Sequence, residues 1–228
     1  MVLALSVRRG YAHGILAMAS RRRRHFFCYT YHMYERDIEF LFEIGTLRNV
    51  ERGWRQHLGM ECASDPEHSF RVAFLALMLA RKEGVKDEGK IIKMALVHDL
   101  AETRVSDHSY IQKVYVTSDE DRAAKDLFAG VSLGDLCSDI LAEYEARKTP
   151  EAKIVKDADN LDVDLELKEL DERGSKLPAK WVGTRRLVRD KKLYTESAKK
   201  FWDELQKADV ASWHLVANKW EKIPDAGK

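Results

Sequence analysis

Residues 91–102 of the chain read IIKMALVHDLAE, an apolar segment that ends in three ionisable residues. Its apolar residues recur at helical spacing, and the pattern continues onto His98. His98 and Glu102 are four residues apart and share one face of the helix, while Asp99 lies about 100° further round. The three side chains can therefore meet beyond the helix end, as a functional site would require. The alternative is a structural pair in which a buried His98 is hydrogen-bonded to Asp99.

A second histidine is predicted to reach the same place from the preceding helix. Asp65, Pro66 and Glu67 are the residue types of a helix start, with Asp65 as the N-cap, and His68 follows them directly. This helix is expected to end near Gly84 and to pack through one apolar face against the helix that carries His98. That face is predicted to consist of Phe70, Ala73, Phe74, Leu77 and Met78.

A later helix, predicted over residues 151–173, carries acids where apolar residues are expected. Asp159 and Asp162 fall on the same stripe as its apolar residues. An unpaired carboxylate is costly to bury, so both acids need a cation or a hydrogen-bond partner. Two histidines and two carboxylates from three helices would form a divalent-cation site with room for water. A nitrogen and oxygen ligand set without thiolate suits Mn, Co, Fe, Ni or Zn ions.

The rest of the chain predicts an all-α protein. Helical spacing recurs, whereas no strand-like alternation runs for any length. Further helices are expected at 119–128, at 134–148 and from about Thr195 to Lys207. No linker interrupts residues 34–228, so we predict a single domain there. It comprises a motif-bearing core over about 36–170 and a C-terminal helical part over 171–228.

Charge is distributed unevenly along the 228 residues, although the formal net charge is only +1. Residues 1–34 contain six arginines and no acid, which leaves 33 basic against 38 acidic residues in the remainder. An acidic body argues against a nucleic-acid polymer as partner, because such binding usually draws on a basic surface. We interpret residues 1–33 as a disordered or non-native basic extension. A transit peptide and a nucleic-acid or membrane patch are the alternatives.

Apolar run length and cysteine usage indicate where the protein works. The longest purely apolar stretch, residues 72–80, has nine residues, too few to cross a hydrocarbon core of about 30 Å. Three cysteines far apart in sequence, without a C-x-x-C pair, suggest neither a disulfide framework nor a cysteine zinc site. We therefore expect no membrane partner and a reducing, cytoplasmic location.

The order of these residues resembles a known family. His68, then His98-Asp99, then Asp159 resembles the H…HD…D signature of the HD-domain metal-dependent phosphohydrolases. The resemblance covers about residues 36 to 170. Short motifs around the signature narrow the resemblance to the 5'-deoxynucleotidase subfamily. Those motifs are Arg52-Gly53-Trp54, Pro66-Glu67-His68-Ser69, His98-Asp99-Leu100-Ala101-Glu102 with Ser106-Asp107, and Glu151-Ala152-Lys153-Ile154-Val155-Lys156-Asp157-Ala158-Asp159.

The resemblance implies a helical HD-domain bundle with one divalent metal ion between its core helices. The four implied ligands are His68, His98, Asp99 and Asp159. Glu102 matches the catalytic glutamate, a general acid or base. Asp162 matches no residue with a family role, and we expect it to support a ligand from just behind. The family's homodimers suggest the same assembly here.

The implied reaction is hydrolysis of a 2'-deoxyribonucleoside 5'-monophosphate, a small-molecule substrate. Arg52 matches a residue that contacts phosphate, Trp54 would form an apolar wall for the nucleoside, and Asp107 matches an acid that reads the deoxyribose. Gly53 departs from the pattern in which the arginine and tryptophan are adjacent.

Two other functions are compatible with the same signature. Other HD-domain enzymes hydrolyse cyclic nucleotides, guanosine polyphosphates or nucleoside triphosphates, and a non-catalytic nucleotide-binding protein could share the fold. Arg52, Trp54 and Asp107 favour a monophosphate, and the intact set of ligands with Glu102 favours catalysis.

Overall fold

The computed structural model describes residues 34–215, with only the backbone at Leu215. Within that range the secondary structure is helical, and a single isolated bridge pairs Glu51 with Ser64. None of the helices described is both long and apolar enough to span a membrane. The predicted all-α fold is therefore confirmed. The predicted extension over 1–33 lies outside the described residues and stays a prediction.

Eleven α-helices fall in the described range, joined by short 3-10 and π segments. In chain order they are α1 (34–45), α2 (Arg55–Leu58), α3 (Asp65–Glu83), α4 (Glu88–Val97), α5 (Glu102–Val105), α6 (Glu120–Phe128), α7 (Ala142–Ala146), α8 (Pro150–Glu172), α9 (Leu177–Lys191), α10 (Glu196–Leu205) and α11 (Ser212–Leu215). The 3-10 segments are Thr46–Asn49 and Gln112–Val114, and the π segment is Leu136–Leu141.

Three helices, α3, α4 and α8, form the centre of the bundle and pack against one another. Their facing sides are fully buried and include Leu79 of α3, Met94 of α4 and Leu161 of α8. His68, His98 and Asp159 lie on, or directly after, these same three helices. The core packing thus determines how close the three polar side chains come.

The predicted core face of α3 is wrong at its three largest aromatic and sulfur-containing residues, whereas Ala73 and Leu77 are partly buried and pack against the core. Phe70, Phe74 and Met78 are 67%, 53% and 55% exposed, so they form an outer stripe. The face that enters the core consists of His68, Val72, Leu75, Ala76 and Leu79. Helix α3 is apolar on both sides, so periodicity alone does not say which side is buried.

The start of α3 also differs from prediction. Ser64 is the N-cap, and its hydroxyl and backbone N–H both bond to Glu67 in a capping box. Asp65 is the first helical residue and is fully buried, where it faces Arg52. The residue expected to cap the helix therefore belongs to the buried polar cluster described below.

Buried acids of α8 hold the C-terminal helices in place. Asp157 accepts hydrogen bonds from the backbone N–H groups of Tyr194 and Thr195, at 2.7 and 2.8 Å, where α10 begins. Asp164 accepts two bonds from Arg185 of α9, at 2.9 and 2.7 Å. The sequence analysis predicts α10 but misses α9, whose surface is mostly polar and exposed.

Candidate metal centre and adjoining pocket

Four side chains from the three central helices converge at one end of the core. His68 Nε2 lies 3.4 Å from His98 Nε2, 3.3 Å from Asp159 Oδ1 and 3.6 Å from Asp99 Oδ2. His98 Nε2 lies 3.2 Å from Asp99 Oδ2. Both imidazoles are buried, while the carboxylates keep a little exposure. His68, His98 and Asp159 thus offer ligand atoms within 4.8 Å of one another, with Asp99 beside the two histidines, whereas Glu102, predicted to meet His98 and Asp99, lies in a separate group of acids.

The spacing of these donor atoms fits a divalent cation. Nitrogen and oxygen ligands lie about 2.0–2.2 Å from such an ion, which places neighbouring ligand atoms about 3 Å apart. The remaining ring nitrogens are already engaged, since His98 Nδ1 lies 2.9 Å from Ala95 O and His68 Nδ1 lies 2.6 Å from Asp162 Oδ2. When each Nδ1 donates its proton in these bonds, the Nε2 lone pairs face the cluster.

Asp162 lies directly behind His68, on the side away from the other three ligand candidates. Its side chain is 1% exposed, and its second oxygen accepts a hydrogen bond from Arg71. Arg71 in turn lies 2.7 Å from Glu169. A carboxylate in this position fixes the orientation and tautomer of a ligating histidine.

Charge in the cluster is balanced by protons when no cation is bound. Burial lowers the pKa of His68, but hydrogen bonds to Asp159 and Asp162 outweigh it and raise the pKa to about 9. Burial raises the pKa of Asp159, yet Lys156 and His68 beside it hold that pKa well below its usual range. A cation entering the cluster would therefore displace a proton from His68.

Arg52 joins the cluster to three acids. Its Nη1 lies 3.2 Å from Asp65 Oδ1 and 3.4 Å from Asp99 Oδ2, and its Nε lies 3.4 Å from Asp107 Oδ2. Burial lowers the pKa of Arg52, but Asp107 and Asp99 raise it more, so the guanidinium keeps its charge. Its carbon Cζ lies 4.9 Å from the ring centroid of Trp54, a cation–π contact.

Glu102 belongs to a second group of acids beside the first. Carboxylate oxygens of Asp65, Glu102 and Asp107 lie within 4.8 Å of one another, a spacing that could hold a further cation. Burial and the charges of Asp99, Asp107 and Asp65 raise the pKa of Glu102 to about 11. Without a cation nearby, Glu102 is thus protonated at neutral pH and able to donate a proton.

A cavity of about 430 Å³ opens next to Arg52, within the size range of small-molecule sites. Arg52, Trp54 and Asp107 line it, so the structure brings the three predicted substrate residues together. Its other walls come from α8, α9 and the segment 107–113. A larger cavity, about 720 Å³, lies between α6 and the π segment and includes only His98 among the predicted site residues.

The HD-domain family model matches residues 44–204. The chain belongs to the HD-domain family. A relative from Dictyostelium discoideum, 5'-deoxynucleotidase HDDC2, is 35% identical over 156 residues, which cover 63% of this chain and 82% of that protein. The HDDC2 of Danio rerio is 33% identical over 144 residues, which cover 59% of this chain and 70% of that protein.

Solved structures of two archaeal proteins share the fold. A conserved hypothetical protein from Pyrococcus furiosus superposes with a TM-score of 0.63 at 28% identity, covering 75% of this chain and 99% of that one. A Pyrococcus horikoshii protein gives a TM-score of 0.60 at 31% identity, covering 75% and 96% of the two chains. The helical arrangement around the cluster is therefore common to this HD-domain protein and distant archaeal proteins.

Some site residues carry no signal that sequence reasoning could use. Lys156 Nζ lies 2.6 Å from Asp159 Oδ2, and Asp65 contacts Arg52 from within a helix start. Trp181 and Arg185 reach the cavity from α9. Hydrophobic periodicity predicts none of these contacts, although Lys156 lies within one of the motifs that resemble the family.

The residue between Arg52 and Trp54 is a glycine, and the backbone of residues 107–109 packs closely against it. A Cβ atom at Gly53 would lie 2.7 Å from the carbonyl carbon of His108 and 2.9 Å from Asp107 O, and closer still to Ser109 N. The Gly53 N–H also donates to Asp107 Oδ2 at 3.0 Å. The absence of a side chain therefore lets the 107–109 backbone pack directly on the Arg52 segment.

We expect Gly53→Ala to lower the free energy of unfolding by about 1–3 kcal/mol, because the added methyl group must displace backbone rather than a mobile side chain. Urea denaturation at fixed metal concentration measures this change. Gly183→Ala is the matched control, since a Cβ on that α9 residue meets nothing within 4 Å. Because alanine is the better helix former, Gly183→Ala should be slightly more stable than wild type, and a Gly53→Ala variant as stable as wild type would show that the close approach is unimportant.

Proposed function

We infer that this protein is a metal-dependent 5'-deoxynucleotidase that hydrolyses 2'-deoxyribonucleoside 5'-monophosphates to deoxynucleosides and phosphate. The observation that carries the proposal is the buried His/Asp cluster in contact with Arg52, at the edge of a cavity of nucleotide-compatible size. Relatives named 5'-deoxynucleotidase, including one that is 35% identical, support the same reaction.

In this proposal four residues hold one divalent ion: His68, His98, Asp99 and Asp159. Such an ion supplies Lewis-acid stabilisation of the phosphoryl oxygens and activates water at neutral pH. Asp162 holds the ring of His68 in the ligating orientation. The donor set admits Mn, Co, Fe, Ni or Zn ions, among which the ligand types alone do not choose.

Arg52 is assigned to the phosphate group. A guanidinium binds phosphate oxygens with a planar fork of donors, and its contact with Asp99 places that fork beside the metal ligands. Asp107 restrains Arg52 from the other side while lining the cavity, where it can also reach the sugar of the substrate. Trp54 supports the guanidinium with its ring.

Glu102 is assigned to proton transfer. In the reaction a water oxygen forms a bond to phosphorus, and the bond between phosphorus and the 5'-oxygen breaks. The departing oxygen needs a proton, which a protonated Glu102 would donate as a general acid, and the proton released by the attacking water would restore Glu102 for the next turnover. Glu102 lies in the acid group next to Arg52, and its Oε2 has no hydrogen-bond partner within residues 34–215.

Charge in the cavity favours a monophosphate over substrates with more phosphate groups. Arg185 also lines the cavity, but both oxygens of Asp164 occupy its fork, and it donates to Asn160 O as well. Lys113 is 58% exposed at the rim. Arg52 is thus the buried cation of this pocket within the described chain, which suits a single phosphate group better than a guanosine polyphosphate or a triphosphate.

Purified protein with added Mn²⁺ or Co²⁺ should release phosphate from deoxynucleoside monophosphates. We expect Asp99→Ala to lower this activity at least a thousandfold, because it removes a ligand and a partner of Arg52. A phosphate-release assay measures both proteins, and Asp171→Ala, at an exposed position near the end of α8, serves as the control. No phosphate release from any deoxynucleotide, or an Asp99→Ala variant with full activity, would contradict the proposal.

We also propose that the protein is a homodimer, joined through the outer stripe of α3. Phe70, Phe74 and Met78 are exposed on this stripe, with Glu67 seven residues before Phe74 and Arg81 seven residues after it. In an antiparallel pair of α3 helices centred on Phe74, each Glu67 would face the partner's Arg81. The stripe is therefore complementary to itself in apolar character, whereas Glu67 is already bonded to Ser64 and Arg81 to Glu88 within the same chain.

Sedimentation velocity tests this assembly directly. The wild-type protein should sediment as a dimer, and Phe74→Glu should give a monomer, since the variant buries two carboxylates against each other at the centre of the interface. Phe42→Glu, at a 76% exposed position on α1, should leave the dimer intact. A monomeric wild type, or a dimer unaffected by Phe74→Glu, would contradict this interface.

A further inference from the structure

Aromatic residues from three separate parts of the chain line the cavity next to Arg52. Trp54 comes from the segment before α2, Tyr110 from the segment after α5, and Trp181 from α9. The family resemblance assigns the nucleoside to Trp54 alone. The geometry distributes the aromatic surface differently.

Trp54 lies at the phosphate end of the cavity. The guanidinium of Arg52 stacks over its indole ring at 4.9 Å, so this ring face is already covered by the group proposed to bind phosphate. The contact explains why an aromatic residue stands two positions after Arg52. It also leaves less of the indole free to contact a nucleobase.

Trp181 and Tyr110 form a corner in the cavity wall beyond Trp54. Their ring centroids are 6.3 Å apart and the planes meet at 84°, while Tyr110 also contacts the ring of His57 at 5.7 Å. Trp181 is half-buried on α9. A flat ring can therefore lie against one wall of this corner and present its edge to the other.

The surroundings of the corner are apolar or already paired. Val163 and Leu167 of α8 and Val188 of α9 line the same cavity. Arg185 is held by Asp164, and the amide of Asn160 donates to Lys156 O at 2.9 Å. The guanidinium assigned to phosphate, Arg52, lies beside Trp54 and the metal ligands, so the uncharged end of a substrate belongs here.

We propose that Trp181 is the residue that stacks against the nucleobase, that Tyr110 fixes the orientation of the Trp181 ring, and that Trp54 serves mainly to hold Arg52. This inference rests on the proposed function, because it assumes a nucleotide in the cavity. The proposal makes α9 part of the substrate site, although α9 lies outside the motifs that resemble the family. The bidentate pairing of Arg185 with Asp164 is then what anchors this wall to α8.

The two products of the reaction probe the two ends of the cavity separately. A deoxynucleoside contains the base and the sugar of the substrate but no phosphate, whereas inorganic phosphate corresponds to the phosphate group alone. Inhibition of the enzyme by each product can be measured in the same assay, with deoxyadenosine and sodium phosphate as the inhibitors. Base stacking on an aromatic side chain is worth enough to change an inhibition constant about tenfold.

We expect Trp181→Ala to raise the inhibition constant of deoxyadenosine about tenfold and to leave that of phosphate unchanged. Trp181→Phe, which keeps an aromatic face, should restore most of the lost affinity. Leu187→Ala, at a 55% exposed position of the same helix, should change neither constant. A structural role for Trp181 would instead raise both constants together.

The inference is overturned if deoxyadenosine does not inhibit the wild-type enzyme, or if Trp181→Ala shifts both constants equally or neither. These outcomes require an active wild-type enzyme, so they differ from failure of the proposed function, in which no deoxynucleotide is hydrolysed. Trp181→Ala therefore tests the role of α9 in substrate binding independently of which reaction the enzyme catalyses.

Discussion

The structure depends on placing two histidines and several carboxylates inside an apolar helical core. Burying such groups is costly unless opposite charges or hydrogen bonds compensate. Here His68 contacts Asp159 on one side and Asp162 on the other, and Arg71 neutralises Asp162 from outside. A divalent ion would satisfy the remaining donor atoms of the cluster at once. The helices α3, α4 and α8 are arranged so that this compensation is possible.

The same compensation links the cluster to the cavity. Arg52 is buried among Asp65, Asp99 and Asp107, so its charge is held by acids that also face the metal position and the substrate. Gly53 lets the segment that carries Asp107 approach closely enough for this contact. A change in any of these groups therefore alters the electrostatic balance of the others, and the site behaves as one unit.

Sequence reasoning predicts the parts of this arrangement that break a pattern. His98, Asp99 and Asp159 can be recognised because polar residues interrupt apolar stripes, and the order of the motifs points to the family. Phe70 and Phe74 are wrongly predicted to be buried because α3 is apolar on two faces, and the packing of α4 and α8 against it decides which face is buried. Trp181 and Asp164 are missed because their roles depend on where α9 docks, a tertiary contact without local periodicity.

If the buried His/Asp cluster is a metal site, the purified protein should contain a bound metal ion, which elemental analysis measures. After dialysis against Mn²⁺ or Co²⁺, the wild-type protein should retain about one tightly bound ion per chain that Asp159→Ala loses. The exposed variant Asp171→Ala should retain the ion. A wild-type protein that binds no divalent ion, or an Asp159→Ala variant with an unchanged metal content, would contradict the account.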